Sequence, residues 1–391
     1  MDNFIFYSPT EFVFGKGTED RTADLVKKYG GKKVMIVYGG GSVVRSGLLA
    51  KVENILTASS IQYVEFGGVQ PNPIDSKVYE GIELGRKEKV DFMLAIGGGS
   101  VIDTAKAIAI GIPYEGDFWD FFSAKATPVE GLRIGVILTI PAAGSEGSGN
   151  AVITKTEGLK KLGIKTPALL RPAFAIMNPE LTYTLPAWQT ACGITDMMAH
   201  IMERYFSNTQ NTEVPDRMCE GTLKAITIEG LKLMEEPNNY DLRANIMWAG
   251  TIAHNGTCGV GCEDDWSSHQ LEHEISAIYN VSHGAGLAVI FPAWMTFMAE
   301  HNPHKIAQFA NRVFDVAATD DQKAMALEGI ARLKDFYHKI GMPTTFKELG
   351  IENPDIDLLV EKLHANKGEK FGKYYVLDRE ASRAIYNMAN E

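Results

Sequence analysis

Five side chains able to hold a transition metal fall in two short windows of the C-terminal half. Asp196 and His200 are four residues apart in GITDMMAH, His269 and His273 are four apart in SSHQLEH, and His283 follows in the turn before Gly284. A step of four returns to the same helix face, so each pair points one way. One carboxylate with imidazoles is a borderline donor set, suited to Fe²⁺ or Zn²⁺ and poorly suited to Ca²⁺ or Mg²⁺. Three or four such ligands leave a position for a substrate oxygen, as catalysis requires. A single histidine is more often a capping or core residue. D-x3-H followed by H-x3-H and a third imidazole favours a metal. His254 and His301 lie outside the pattern and read as structural or surface residues.

The second chemical signal is glycine. Gly97-Gly98-Gly99-Ser100 follows an apolar run and leads into a helical pattern beginning near Val101. Glycine lets the backbone approach a pyrophosphate, and a helix start offers free N–H groups. Asp103, read as lying in the first helical turn, suits that end of the helix dipole and could hold the loop or a ribose. A tight turn that binds nothing is the plain alternative, since the pattern departs from GxGxxG and follows a later strand. Gly39-Gly40-Gly41-Ser42 ends the first strong strand with no carboxylate for ribose hydroxyls; Arg45 stands close by. A 2′-phosphate is accepted there more readily than repelled, which favours NADP over NAD, with NAD still possible. A third turn, Thr139 to Glu146, is dense in small residues. It reads equally as a packing loop or as a bed for the nicotinamide half of a cofactor.

Elements must position these groups. Val34–Tyr38, Phe92–Ile96, Gly135–Thr139 and Phe174–Met177 read as buried strands separated by helical stretches, the pattern of parallel βαβ construction. Asn3 to Phe14 alternates around Ser8-Pro9 and reads as a β-hairpin or two short strands. From Ala187 onward helical periodicity takes over. The expectation is an α/β dinucleotide-binding domain with a parallel sheet over residues 1–186, then an all-helical metal-binding domain over 187–391. A ligand cleft is expected between them.

Composition narrows the function. The 391 residues are 45% apolar and 22% charged, and 38 basic against 49 acidic residues give a net charge of −11. That balance argues against nucleic acid or an anionic membrane as partner. Four cysteines without a CxxC pair fit a reducing compartment. Cys258 and Cys262 read as buried small hydrophobes. The start has no signal-peptide pattern and no apolar run nears the length of a membrane span. The expectation is a cytoplasmic enzyme.

IGGGSVIDTAK, TIPAAGSE, NPELTYTLP, GITDMMAH and the stretch from Trp266 through His283-Gly284-Ala285-Gly286, in this order, resemble the iron-containing alcohol dehydrogenase family. The likeness is nearest to its butanol dehydrogenase and NADPH-dependent aldehyde reductase branch and runs nearly the whole chain. The resemblance implies a dehydroquinate synthase-like architecture and one divalent metal on Asp196, His200, His269 and His283. It makes His273 a non-ligand near the nicotinamide and substrate. It puts pyrophosphate contacts on Gly98, Gly99 and Ser100, with Thr139 and Ser148 alongside the cofactor. Asn72 is implied near the phosphates, Lys161 at the nicotinamide ribose, and Gly39, Gly40 and Ser42 at the NADP 2′-phosphate.

The implied reaction passes hydride between NADP(H) and a small primary alcohol or aldehyde such as butanol or butanal. Met197, Met198, Trp266 and Ile275 are expected to line an apolar substrate site. That lining disfavours a dehydroquinate synthase-like lyase, which needs several basic residues for its carboxylated, phosphorylated substrate. A polyol dehydrogenase of the glycerol or propanediol type is a rival reading, as is a metal-stabilised, non-enzymatic scaffold. A homodimer is expected, paired through the alternating N-terminal segment.

Overall fold

The computed structural model describes residues 1–391, which divide into two compact units. Ser8–Leu185 form one; Met1–Tyr7 and Pro186–Glu391 form the other.

The first unit is built on six parallel strands: β1 (Glu11–Phe14), β2 (Lys33–Gly39), β3 (Gln62–Val69), β4 (Phe92–Gly97), β5 (Arg133–Leu138) and β8 (Phe174–Met177). Their order across the sheet is β1-β8-β5-β4-β2-β3. β4 is buried along its whole length, which is why FMLAIG is unbroken by a polar residue. From β2 the chain goes outward to β3, then returns across β2 to β4 and continues the other way. The switch point therefore falls between β2 and β4, and open α/β sheets bind ligands outside the strand ends at such a point. β3 carries no clear strand signal in the sequence. It is an edge strand with only two of its eight residues buried and contains Gly67-Gly68 near its end, so it lacks the apolar run that marks its neighbours. A small antiparallel hairpin, β6 (Asn150–Lys155) with β7 (Lys160–Lys165), is equally silent, because its lysines mask the alternation.

The hairpin expected over Asn3 to Phe14 is not formed. Only Glu11–Phe14 is a strand, and it pairs in parallel with β8. The first seven residues group with the helical unit instead: the Met1 ammonium donates to Gln210 O at 2.6 Å and Asp2 N to Gly261 O at 2.8 Å.

The helical unit packs around a single apolar cluster that includes Met197, Met198, Ile275 and Trp294. Its most apolar helix, His283–His301, is buried almost throughout. No helix is long and apolar enough to cross a membrane.

Candidate metal centre and coenzyme-binding turns

Three helices carry the candidate ligands. Asp196 and His200 lie on Ala187–Tyr205, His269 and His273 on Ser267–Tyr279, and His283 is the first residue of His283–His301. Asp196, His200 and His269 are buried and each offers a ligand atom within 4.8 Å of the others. His200 Nε2 lies 3.4 Å and His283 Nε2 3.8 Å from Asp196 Oδ1. Donors bonded at about 2.1 Å to one tetrahedral ion stand about 3.4 Å apart, so this donor set fits a divalent cation in spacing as well as in chemistry.

Two carboxylates that the spacing does not mark hold the imidazoles in place. Glu203 Oε1 accepts from His269 Nδ1 at 2.8 Å and from His269 N at 2.9 Å, while its Oε2 accepts from Trp266 N at 2.8 Å. Glu272 accepts from His283 Nδ1 and from Ser276 Oγ. Each acid occupies the far ring nitrogen and leaves Nε2 of its histidine for a ligand role. Burial, then Asp265, pushes Glu203 well above the usual carboxylate range, against the pull of the two backbone N–H groups. Burial, then the neighbouring imidazoles of His254 and His269, keeps His200 well below the ordinary histidine range, so it is neutral, as a ligand must be.

His273 stands beside His283, ring centroids 5.6 Å apart, and is half-buried. Glu272, His273 and His283 form a second close group. Both Glu272 oxygens are already taken by His283 and Ser276, so Glu272 acts there as an acceptor. His254, outside the sequence pattern, packs its ring at a tilt against His200, 4.4 Å between ring centroids. Its place at the end of Tyr240–His254, on a fourth helix, gives no spacing signal. Trp266, in the left-handed region at φ 67°, packs its ring within 5.1 Å of His269 and under the Arg204 guanidinium. Met197, Met198 and Ile275 are fully buried in the helical core. They do not line a substrate site as expected; their faces of the helices are those turned from solvent.

In the α/β unit, the expected coenzyme residues gather at the carboxyl ends of β2 and β4. Gly39, Gly40 and Ser42 leave β2, while Gly98, Gly99 and Ser100 leave β4 and begin the helix Gly99–Gly111. A Cβ on Gly99 would meet nothing within 4 Å, so the space beside the helix start is open there. A Cβ on Gly98 would fall 2.8 Å from Ile140, so glycine here lets the loop after β5 lie on the turn. Thr139 joins them, its N–H donating to Gly97 O at 3.0 Å. Lys161 is buried and donates to Asn72 Oδ1 at 3.3 Å, whereas its neighbour Lys160 is exposed.

Asp103 and Ser148 both meet partners within the protein. Asp103 lies in the second helical turn. One of its oxygens accepts from Ser145 Oγ at 2.6 Å and the other from Val152 N at 2.8 Å. Of the two roles open to it, the structure shows the loop-holding one. Ser148 is buried and its hydroxyl faces Lys106 at 3.4 Å.

A parallel sheet with glycine turns astride its switch point, in one chain with a helical unit, defines an α/β-plus-helical enzyme of the dehydroquinate synthase-like fold. Residues 9–179 match the iron-containing alcohol dehydrogenase family, and residues 190–389 its C-terminal part. The chain belongs to that family. It is 41% identical over 383 residues to the probable NADH-dependent butanol dehydrogenase 1 of Bacillus subtilis (strain 168), covering 97% of each. It is 36% identical over 394 residues to the NADPH-dependent aldehyde reductase YqhD of Escherichia coli (strain K12), covering 100% of both. The structure of NADH-dependent butanol dehydrogenase A from Thermotoga maritima matches it with a TM-score of 0.96 at 40% identity, over 100% of this chain and 99% of that one.

Proposed function

We propose that this alcohol dehydrogenase interconverts small aldehydes and primary alcohols of butanal size, using NADP(H) and one Fe²⁺ or Zn²⁺ on Asp196, His200, His269 and His283. The carrying observation is the convergence of Asp196, His200, His269 and His283, with Glu203 and Glu272 behind two of the imidazoles. A cation bound there supplies Lewis-acid polarisation of the substrate oxygen. The chain's own residues do the rest. The N–H groups of Gly99 and Ser100 receive the pyrophosphate, with Asn72 near the phosphates, and Lys161 orients the nicotinamide ribose. His273, the half-buried imidazole next to His283, relays the proton between substrate and solvent.

For NADP(H), the supporting feature is the end of β2, where Gly39 to Ser42 carries no carboxylate and the exposed Arg45 reaches back over Gly41. The names of the Bacillus and Thermotoga relatives favour NADH, and that is the second reading. A homodimer and a cytoplasmic location belong to the same proposal. They are supported by the exposed Phe4-Ile5-Phe6-Tyr7 segment and by four free cysteines.

The test is oxidation of NADPH and of NADH with butanal, before and after chelation, with Fe²⁺ or Zn²⁺ added back. The expected result is turnover favouring NADPH, abolished by chelation and restored by one of the two metals. Turnover that survives complete metal removal would overturn the metal assignment; a preference for NADH would overturn the coenzyme assignment.

A further inference from the structure

Lys106 is fully buried, and no site residue inferred from the sequence explains it. It sits on the helix Gly99–Gly111, about two turns from the glycine turn that opens that helix. Its ammonium donates to Ser145 O and Ser145 Oγ at 2.8 Å, Ser148 O at 3.0 Å, Ser148 Oγ at 3.4 Å and Asn150 O at 2.7 Å. All five acceptors belong to one stretch of chain, the run from the end of β5 to the start of β6. Three residues earlier on the same helix face, Asp103 holds Ser145 Oγ and Val152 N. From the other side Arg171 donates to Gly147 O.

A buried ammonium is expensive to keep. Burial pulls Lys106 down to about 8, while Asp103 and Glu146 push back and Arg171 adds to the fall. A methionine of similar volume would fill the space without that penalty, so packing alone does not account for a lysine. What only the lysine supplies is three donors aimed at a loop that has few internal hydrogen bonds of its own. The same loop starts at Thr139 and Ile140, which lie against Gly97 and Gly98. Fixing Ser145 to Asn150 on the helix therefore fixes the far end of a segment whose near end rests on the pyrophosphate turn.

We propose that Lys106 is a positioning residue for the coenzyme: it holds the 139–150 loop in register with the Gly97–Ser100 turn, so that the nicotinamide half meets a preformed surface. This rests on the functional reading above. The ammonium touches loop oxygens, and its effect reaches the coenzyme through the loop.

The test compares wild type with Lys106→Met in the metal-loaded enzyme. NADPH affinity is read by fluorescence titration, loop order by amide hydrogen exchange over residues 139–152, and kcat at saturating coenzyme. The loss of a charge-assisted cluster is expected to weaken NADPH binding at least about tenfold. Exchange should quicken in that loop but not in β4 or β5. With the coenzyme saturating, kcat should stay within about twofold, the signature of lost uniform binding. Should Lys106→Met fail to fold, the double variant Ser145→Ala/Ser148→Ala keeps the lysine and removes two acceptors, and about threefold weaker binding with faster loop exchange is expected. Unchanged coenzyme affinity in the folded variant overturns the proposal, whatever the loop does. A wild type that binds no nicotinamide dinucleotide, while Lys106→Met still loosens the loop, overturns the functional reading and leaves the anchor itself standing.

Discussion

At the level of single residues, the centre depends on pairs that cross between helices. Glu203 is three residues after His200 yet serves His269, and Glu272 is three residues after His269 yet serves His283. Linear spacing shows which side chains share a helix face, so the D-x3-H and H-x3-H pairs are legible. It cannot show which acid on one helix will meet an imidazole on the next, and Glu203, Glu272 and His254 are invisible for that reason. A carboxylate on the far nitrogen fixes the tautomer and raises the basicity of the ligand nitrogen, and its removal typically lowers metal affinity about 10–100-fold. Glu272→Gln keeps the shape and removes the charge facing His283. Chelator competition followed by metal analysis should show a loss of that size with the circular dichroism unchanged. Wild-type metal retention in this variant would mean that something other than Glu272 orients His283.

The elements that bring those residues together rely on absent side chains as much as on present ones. At the start of His283–His301, a Cβ on Gly284 would lie 2.2 Å from the carbonyl oxygen of Cys192, and one on Gly286 would lie 2.6 Å from Glu272 Oε1. The Ala187–Tyr205 backbone and the Glu272 carboxylate thus both pass where ordinary residues would project. Gly284→Ala must push the two helices apart beside His283, and overpacking of this kind costs about 1–3 kcal/mol. A lowered melting temperature together with a reduced metal content is the expected pair of changes. Gly221→Ala, on the exposed face of Glu213–Glu235 where nothing lies within 4 Å, is the control and should stabilise by about 0.4–1 kcal/mol. If Gly284→Ala is as stable and as metal-replete as that control, close approach is not what the glycine supplies. The strands follow the same logic of burial. β2, β4, β5 and β8 are readable because both faces are covered, so their sequences are apolar nearly throughout. The N-terminal alternation misleads because it describes no strand with one wet face: Ile5 is 96% exposed, and its neighbours are half-exposed or more. Lys106 is silent for the opposite reason, since a lysine in an apolar helix reads as a surface residue until its burial is seen.

For the molecule as a whole, the charge sets the terms on which a coenzyme binds. A net charge of −11 repels an anionic dinucleotide at long range, so affinity has to come from groups in contact; the proposed ones are the first N–H groups of Gly99–Gly111, and Lys161 beside Asn72. Every one of these lies in Ser8–Leu185, and every candidate metal donor lies in Pro186–Glu391. Each unit also has its own apolar cluster, one that includes Val34, Ile36, Leu94 and Ile96, the other Phe291 and Trp294. Stripping the metal should then abolish turnover while leaving the NADPH dissociation constant within about threefold, since the groups proposed to hold the dinucleotide are untouched. The same treatment should lower thermal stability. A ligand present at a hundred times its dissociation constant contributes about 2.7 kcal/mol, and for a unit of this size that is about 5–10 °C. Fluorescence titration and calorimetry on one chelated sample read both quantities. A coenzyme that dissociates as the metal leaves would show that the two sites share their binding energy, and that the dinucleotide is held in part by the ion or by the helices around it.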